Sequence, residues 1–344
     1  MKFSHKISSA EELEEVMTIP PPPLVELMQR LGGDIMILGI AGKMGVTLGR
    51  EALRACRQGG VGKQVVGVSR FSDTAARDRL DELGVKTITC DLLDPDAVQA
   101  LPEVRNIIYM AGKKFGTQDS EALTWAMNTI VPSNVARRFR ESRIVVFSTG
   151  NVYPFVAVDS GGCTETAPTD PVGDYAQSCL GRERVFTYYS QINKTPMVLF
   201  RLNYATDLRY GVLYDIGSKV VADEPVPLAT GYANVIWQGD ANTQALLALD
   251  FCASPPEILN VTGPETISIR EVAGQFGVLF GKTPHFDGEE TGSALLSNAG
   301  KAAGLFGRPR VGLEQMIEWT AHWIQIGGPS LGKPTHFEAR DGNF

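Results

Sequence analysis

Three glycines spaced three residues apart could bind an anion through the backbone. Gly39, Gly42 and Gly45 follow the apolar run Ile35–Leu38 and precede a segment that can form a helix. In such a strand–turn–helix unit, the first glycine permits a tight turn and the second lets the backbone approach a pyrophosphate. The third lets the helix pack on the strand, and the N–H groups at the helix start face the anion. The pattern predicts a dinucleotide site.

The residues after the next strand indicate which dinucleotide fits. Gln64–Ser69 is predicted to be a buried strand, and an acidic residue at its end would bind the ribose 2′-hydroxyl of NAD. This chain has Ser69-Arg70 at that place and Lys43 within the glycine loop. Two cations and no acid favour the additional phosphate of NADP, with NAD as the alternative.

Alternating strands and helices must position these residues. Further strands are predicted at Lys86–Cys90, Asn106–Met110, Arg143–Phe147 and Met197–Arg201, separated by segments that can form helices. This alternation predicts an α/β fold with a Rossmann-type doubly wound parallel sheet, which binds ligands at the carboxyl ends of its strands.

Composition limits the classes of function. A net charge of −7 gives no electrostatic support to nucleic-acid binding. No apolar run approaches the ~18 residues of a membrane span, and no signal-peptide core is visible. The five cysteines and four histidines are scattered, so no disulfide framework or metal site is predicted. We expect a cytoplasmic protein with a small-molecule substrate and without a nucleic-acid or membrane partner.

Several motifs follow one another in a recognisable order. They are the triplet Gly39-x-x-Gly42-x-x-Gly45, the turn Ser148-Thr149-x-x-Val152-Tyr153, Tyr175 with its following helix, Arg201-Leu202-Asn203-Tyr204, and Asn260-Val261-Thr262-Gly263-Pro264-Glu265. With them, the chain resembles the extended short-chain dehydrogenase/reductases, the NAD(P)-dependent epimerase/dehydratase group, over roughly residues 34–325. The resemblance implies an oxidoreductase or epimerase that acts on a sugar, a sugar nucleotide or a similar hydroxy or keto compound.

The resemblance also implies catalytic roles. Tyr175 would be the general acid/base that moves a proton to or from a substrate oxygen, and Thr149 would hydrogen-bond to the same oxygen. In the family, a lysine four residues after the tyrosine stabilises the phenolate and holds the nicotinamide ribose. Cys179 stands at that position here, and a neutral thiol supplies no positive charge. The phenol, whose ordinary pKa is about 10, loses one interaction that would lower its pKa.

Three hypotheses address the missing ammonium group. In the first, another cation substitutes for it: Lys114 is preferred, and Lys113 and Arg182 are the alternatives. In the second, the protein binds the cofactor without turnover and acts as a sensor or a partner subunit. In the third, Cys179 is itself a nucleophile, although no histidine in the sequence is an evident activating partner.

The cofactor contacts are predicted from the loop pattern and from the resemblance. They are Gly39, Gly42, Lys43, Met44, Gly45, Ser69, Arg70, Asp91, Leu92, Ala111, Gly112, Tyr175 and Asn203. On the substrate side, Arg209 and Tyr210 are predicted to be either ligand contacts or solvated loop residues. Trp237 is predicted to be either a ligand contact or an interlobe core residue.

The domain organisation is predicted as follows. Residues 1–33 form an N-terminal helical extension, 34–203 with 232–255 a dinucleotide-binding domain, 204–231 with 256–326 a smaller C-terminal α/β substrate lobe, and 327–344 a tail. In the family, helices corresponding to about residues 121–140 and 175–190 pair across a two-fold axis. The resemblance therefore implies a homodimer.

Overall fold

The computed structural model describes residues 6–114 and 120–342. Its α-helices are α1 (Ala10–Met17), α2 (Pro22–Arg30), α3 (Gly45–Gln58), α4 (Thr74–Leu83), α5 (Pro95–Gln99), α6 (Glu121–Trp125), α7 (Val131–Arg138), α8 (Gly173–Asn193), α9 (Val212–Val221), α10 (Gln238–Leu247), α11 (Ile269–Phe280), α12 (Gly300–Phe306) and α13 (Leu313–Gln325). Short 3₁₀ turns lie at Gly150–Val152 and Ala248–Phe251. Within the described ranges, no helix combines the length and the apolar character that a membrane span needs.

The strands divide into one large sheet and several two-stranded ribbons. They are β1 (Ile35–Leu38), β2 (Val65–Ser69), β3 (Lys86–Thr89), β4 (Asn106–Tyr109), β5 (Arg143–Thr149), β6 (Val156–Ala157), β7 (Met197–Leu202), β8 (Ala205–Thr206), β9 (Val226–Pro227), β10 (Tyr232–Ala233), β11 (Ile236–Trp237), β12 (Glu257–Val261), β13 (Ile267–Ser268), β14 (Phe286–Asp287) and β15 (Ser293–Ala294). The predicted strands of the large sheet are present, with ends within two residues of those expected.

The large sheet has seven parallel strands in the order β12-β7-β5-β4-β1-β2-β3. Strand β1 lies between β4 and β2, with Leu38 opposite both Tyr109 and Val68. All four residues of β1 are buried, as expected for a strand that is covered by helices on both faces. The predicted Rossmann-type doubly wound sheet is confirmed, and the loops after its central strands meet at one edge.

Strand β12 corrects one predicted boundary. We assigned residues 256–326 to the substrate lobe, but Glu257–Val261 pairs with β7 and completes the large sheet. The segment is short and lies directly before a loop motif, so its pattern does not distinguish a seventh strand from the start of a lobe. We propose that the substrate lobe resumes after Val261.

A second apolar core lies beside the sheet domain. It is built from α9, α11 and α13 around Trp237, Trp319 and Trp323. Helix α1 packs into this core through Leu13, whereas α2 packs into the core of the sheet domain. The tail returns to the second core, where Phe337 is 2% exposed. The N-terminal extension and the tail therefore both contact the second core.

A buried carboxylate on α1 joins the two parts of the molecule. Glu14 is 2% exposed and forms ion pairs with Arg50 of α3 and Arg79 of α4, both in the sheet domain. Its other oxygen lies 3.1 Å from Arg209, which follows β8 on the side of the second core. One side chain thus contacts arginines from both parts.

The helical stretch predicted at Glu121–Arg140 is interrupted. A π-helical turn at Ala126–Ile130 lies between α6 and α7, directly before Pro132. Proline has no N–H to donate to the preceding turn, and single π turns within α-helices, which are rare, often lie at functional sites. The interruption turns Asn128 into the protein interior, where it is fully buried.

Candidate functional site

Two adjoining cavities lie at the carboxyl ends of the sheet strands. We name them after one residue each: the Tyr175 cavity has a volume of about 220 Å³ and the Arg70 cavity about 360 Å³. Met110 and Gly112, which follow β4, line both cavities. Parallel α/β sheets bind their ligands at this edge.

The predicted site residues divide between these cavities. The Tyr175 cavity is lined by Lys43, Met44, Gly112, Lys114, Thr149, Tyr175 and Asn203. The Arg70 cavity is lined by Gly39, Gly42, Ser69, Arg70, Asp91, Leu92, Ala111 and Gly112. Gly45 and Cys179 line neither cavity. The roles of all these residues stay predictions.

The glycine loop has the geometry of an anion cradle. Gly39 has φ +90°, and a Cβ there would lie 2.7 Å from the backbone nitrogen of Ala111. A Cβ at Gly45 would lie 2.2 Å from the carbonyl oxygen of Ile40. Helix α3 begins directly after Met44, and no side chain caps it. The Gly45 N–H donates to the Gly42 carbonyl (3.1 Å), and the other N–H groups of the first turn are available to an anion, so the loop fits a dinucleotide pyrophosphate.

The Arg70 cavity begins at the end of β2. Arg70 is exposed at its rim, and no acid directly follows the strand. The nearest acid in sequence, Asp73, caps its own helix by accepting a hydrogen bond from the Ala75 N–H (3.0 Å). Asp91, which follows β3, accepts one from the Leu93 N–H (3.0 Å). At the rim, the Arg70 guanidinium group therefore stands where an NAD site has a carboxylate that binds the ribose hydroxyl.

The Tyr175 cavity contains the residues with predicted acid–base roles. Tyr175 lies in the first turn of α8, and Thr149 ends β5. Burial raises the pKa of the Tyr175 hydroxyl far above its ordinary value, and the nearby Cys179 thiol raises it further. The Arg182 guanidinium and a hydrogen bond with Thr149 oppose this shift in pKa. Without a ligand, the phenol is therefore held in its protonated form.

Cys179 is fully buried in a small apolar cluster with Val152, Tyr153 and Cys163. Burial raises the pKa of its thiol, so the thiolate that a nucleophile requires is disfavoured. This environment does not support the third hypothesis.

Two cations lie near Tyr175. The Lys114 Nζ is 5.9 Å from the centre of the Tyr175 ring, and burial lowers the pKa of this lysine to about 8. Arg182 is 6% exposed; it donates hydrogen bonds to the Phe147 carbonyl (2.8 Å) and to Asn128 (2.5 Å). Its Nε has no hydrogen-bond partner in the described part of the chain. Both cations line the Tyr175 cavity.

Asn128 fixes the arrangement of these groups. Its amide oxygen accepts from the Lys113 N–H (3.2 Å) and from Arg182, and its amide nitrogen donates to Ser178 Oγ (2.9 Å). It therefore connects the segment after β4 with α8. A buried asparagine requires such partners, but here they are distant in sequence and a local pattern does not identify them.

The structure separates Lys43 from Arg70, which corrects the reasoning that joined them as a pair near a 2′-phosphate. Lys43 lines the Tyr175 cavity, and its Nζ lies 3.1 Å from the centre of the Tyr210 ring. Arg70 alone lines the other cavity. Position in the loop fixes the backbone of Lys43, but only the fold determines the direction of its long side chain.

The substrate-side predictions have different outcomes. Tyr210 lines the Tyr175 cavity, whereas Arg209 is bound to Asp207 (2.7 Å) and to Glu14. Trp237 is buried against Trp319 in the second core, so the core alternative is correct.

Sequence reasoning assigned no role to several polar residues of the Tyr175 cavity, among them Asn151 and Thr335. Asn151 accepts a hydrogen bond from Thr149 Oγ1 (3.1 Å), and its place directly after the Ser-Thr turn could have indicated it. Thr335 comes from the tail, where no motif marks it. No cluster of potential metal ligands occurs among residues 6–114 and 120–342.

Residues 35–205 match the model of the NAD dependent epimerase/dehydratase family. Over these residues the chain belongs to that family. The match spans the glycine loop, the central strands of the sheet and α8. It confirms the resemblance to the extended short-chain dehydrogenase/reductases. No curated protein matches the chain by sequence at a significant level.

Solved structures of epimerases and dehydratases share the fold. UDP-glucose 4-epimerase of Thermus thermophilus, in complex with NAD, is 21% identical with a TM-score of 0.68; the match covers 85% of this chain and 99% of that one. DesIV, a dTDP-glucose 4,6-dehydratase of Streptomyces venezuelae with NAD bound, is 18% identical with a TM-score of 0.72, covering 85% and 97%. WbmG of Bordetella bronchiseptica, also with NAD, is 19% identical with a TM-score of 0.70, covering 89% and 98%.

Proposed function

We propose that this family member is an NAD(P)-dependent oxidoreductase or epimerase. It acts on a hydroxyl- or carbonyl-bearing carbon of a sugar, a sugar nucleotide or a similar small compound. One observation carries the proposal: Tyr175, Thr149 and Lys114 line a single cavity that adjoins the cavity of the glycine loop. The family match supports it, because members of that family are NAD-dependent.

We propose that the two cavities together hold the cofactor. The glycine loop and the start of α3 would hold the pyrophosphate, Arg70 and Leu92 the adenosine end, and Asn203 the nicotinamide end. When bound, the nicotinamide ring supplies the group that accepts or donates hydride. No side chain of the chain needs to do that chemistry.

The protein residues control the proton and the charge. Tyr175 would take the proton of a substrate hydroxyl during oxidation and return it during reduction, while Thr149 hydrogen-bonds to the same oxygen. Lys114, together with Arg182, would supply the positive charge that the family obtains from the lysine replaced by Cys179. A cation near a phenol favours the phenolate and so lowers its pKa.

Binding without turnover is the second candidate function. It is favoured by the high pKa of Tyr175, because a phenol that stays protonated at neutral pH is a poor base. In this alternative the same cavities hold the cofactor, and the protein acts as a sensor or a partner subunit.

The test is to incubate the protein with NADPH, and separately with NADP, and a panel of keto-sugars, sugars and sugar nucleotides. Turnover that Tyr175→Phe abolishes supports the enzyme. Tyr188→Phe, an exposed tyrosine on the same helix, is the matched control and should retain the rate. Tight cofactor binding without turnover supports the second candidate. If neither NADP nor NAD binds at millimolar concentration, both proposals are wrong.

NADP is the proposed cofactor, with NAD as the alternative that the NAD complexes of the structural relatives support. Arg70 at the cavity rim is the residue that would contact the 2′-phosphate. Hydrogen bonds to charged groups contribute about 1.5–3 kcal/mol, so Arg70→Ala should weaken NADP binding about 10-fold or more and leave NAD binding nearly unchanged. Calorimetric titration of both cofactors measures this, and equal weakening of both would assign Arg70 another role.

A homodimer is also proposed. Leu123, Trp125 and Ile130 on the α6 side, and Tyr188 and Ile192 on α8, are exposed apolar residues of helices that pack together. Exposed apolar patches on soluble proteins often mark contact surfaces, and these helices are the ones that pair in the family.

A further inference from the structure

The Tyr175 cavity concentrates positive charge. Lys43, Lys114 and Arg182 all line it, and they come from three separate elements: the glycine loop, the segment after β4, and α8. No carboxylate of the described residues lines the same cavity. A cavity of one sign with low-dielectric walls attracts ligands of the opposite charge.

We propose that the Tyr175 cavity binds a compact anionic hydroxy or keto compound, whose carboxylate or phosphate group lies against Lys43. The inference rests on the proposed function of the same site and narrows its substrate class. The backbone N–H groups of the glycine loop remain with the cofactor, whereas the side chain of Lys43 serves the substrate.

The nearby acids do not neutralise the charge of Lys43. Asp207 is paired with Arg209 (2.7 Å). Asp215 accepts hydrogen bonds from the Thr335 N–H (2.8 Å) and from Thr335 Oγ1 (2.5 Å). Neither acid forms an ion pair with Lys43 in the described part of the chain, and the Lys43 Nζ lies over the Tyr210 ring. The ammonium group of Lys43 therefore lacks an ion-pair partner among the described residues, and a bound anion would supply one.

The size of the cavity limits the ligand. Its volume of about 220 Å³ is below the roughly 300–1,000 Å³ typical of pockets for drug-sized molecules. The tail contributes to this restriction because Thr335 lines the cavity, and burial of Phe337 in the second core holds the tail in place. The small volume therefore favours a free sugar acid or a sugar phosphate over a nucleotide sugar.

The titration behaviour of Lys43 agrees with the geometry. Burial lowers the pKa of its ammonium group well below the ordinary value, the charges of Lys114 and Lys333 lower it further, and Asp207 and Asp215 oppose the shift. An anion bound beside Lys43 would favour the protonated form and raise this pKa again. Anion binding should consequently take up a fraction of a proton from the solution.

The test compares D-glucose with derivatives of it that carry different anionic groups. The protein, saturated with NADP, is titrated calorimetrically with D-glucuronate, D-glucose 6-phosphate, D-glucose and UDP-glucose, in Tris and in HEPES to measure proton uptake. We expect at least one of the two anions to bind about 10-fold or more tightly than D-glucose, with proton uptake. The two anionic arms distinguish a carboxylate from a phosphate.

Variants assign the effect to Lys43. Lys43→Met should abolish the preference for the anion and the proton uptake while changing the Kd of NADP less than about 3-fold. Lys86→Met removes an exposed lysine on β3 and should change neither. If Lys43→Met instead weakens NADP and leaves the anion preference intact, the side chain serves the cofactor and the inference is wrong.

Three further results would overturn the inference: equal binding of D-glucose and both anions, binding of UDP-glucose alone, or no binding of either anion. Failure of the proposed function is detected separately, because NADPH binding is measured by its own fluorescence. If the cofactor does not bind, the anion titrations are repeated on the protein without it, so that the anion site is tested independently.

Discussion

In the proposed chemistry, the positive charge of Lys114 replaces that of the lysine that the family has at the position of Cys179. Because burial lowers its pKa to about 8, the ammonium group is present below that pH and is lost as the pH rises through it. We expect kcat/KM for the preferred substrate of the panel to decline above pH 8. Lys114→Met should remove this decline and lower the rate roughly 10²-fold, a typical size for acid–base effects. Steady-state rates between pH 6 and pH 10 measure both effects.

Lys113 provides the matched control for this prediction. It is the adjacent lysine, it lines the same cavity, and its Nζ hydrogen-bonds to Ser120 Oγ. Lys113→Met should retain the pH profile of the unmodified protein. The assignment is wrong if the two variants behave alike, or if Lys114→Met retains full activity.

At the residue scale, the sequence predicts backbone positions better than side-chain directions. The glycine loop follows from local spacing, and Gly39 and Gly45 meet the close contacts expected of them. The direction of Lys43 depends on the Tyr210 ring, which is far along the chain. Thr335 is held at the cavity by its hydrogen bonds to Asp215 and by the burial of Phe337 in the second core. Neither contact has a local sequence signal.

Helices α3 and α10 pack together through polar side chains. Glu51 of α3 is fully buried, and its Oε1 accepts a hydrogen bond from Thr243 of α10. Burial raises the pKa of this carboxyl to about 8. The folded protein therefore holds a proton that the unfolded chain releases at a pH above about 4.5.

This difference in pKa predicts how stability changes with pH. The contribution of Glu51 to the free energy of unfolding is fully present below pH 4.5. It is lost as the pH rises from about 4.5 to 8, at about 1.4 kcal/mol per pH unit. Glu51→Gln keeps an acceptor for Thr243 and should remove most of this pH dependence. The free energy of unfolding of the variant should therefore exceed that of the unmodified protein by more at pH 8 than at pH 5. Urea unfolding at both pH values measures it. Glu26→Gln, at an exposed position of α2, should leave the dependence unchanged.

At the element scale, strand and helix periodicity predicts most of the fold but not its irregularities. Strand β12 could not be assigned from its pattern, because only pairing with β7 makes Glu257–Val261 a strand of the large sheet. Proline chemistry accounts for an interruption of the helix near Pro132. The π turn at Ala126–Ile130 has no such local signal, because Asn128 lies inward there and its hydrogen-bond partners are distant in sequence.

At the scale of the whole molecule, the exposed apolar residues of α6 and α8 predict the oligomeric state. Tyr188 and Ile192 are 58% and 55% exposed. Replacing Tyr188 with Glu would place a charge in the proposed contact, where burial of an unpaired charge is costly. We expect Tyr188→Glu to convert a dimer to a species of 37.2 kDa in light scattering.

The control lies on another surface. Val278 on α11 is 84% exposed, and Val278→Glu should retain the dimer. If the unmodified protein is already a monomer, or if Val278→Glu alone dissociates the dimer, the α6–α8 surface is not the contact.

The ion pairs of Glu14 have a consequence for heat denaturation. Opening either part of the molecule alone would break the ion pairs that this buried carboxylate forms with the arginines of that part. Removal of one member of a buried pair typically costs about 3–5 kcal/mol. Neither part can therefore melt first at low cost, and we expect a single calorimetric peak that Glu14→Gln separates into two.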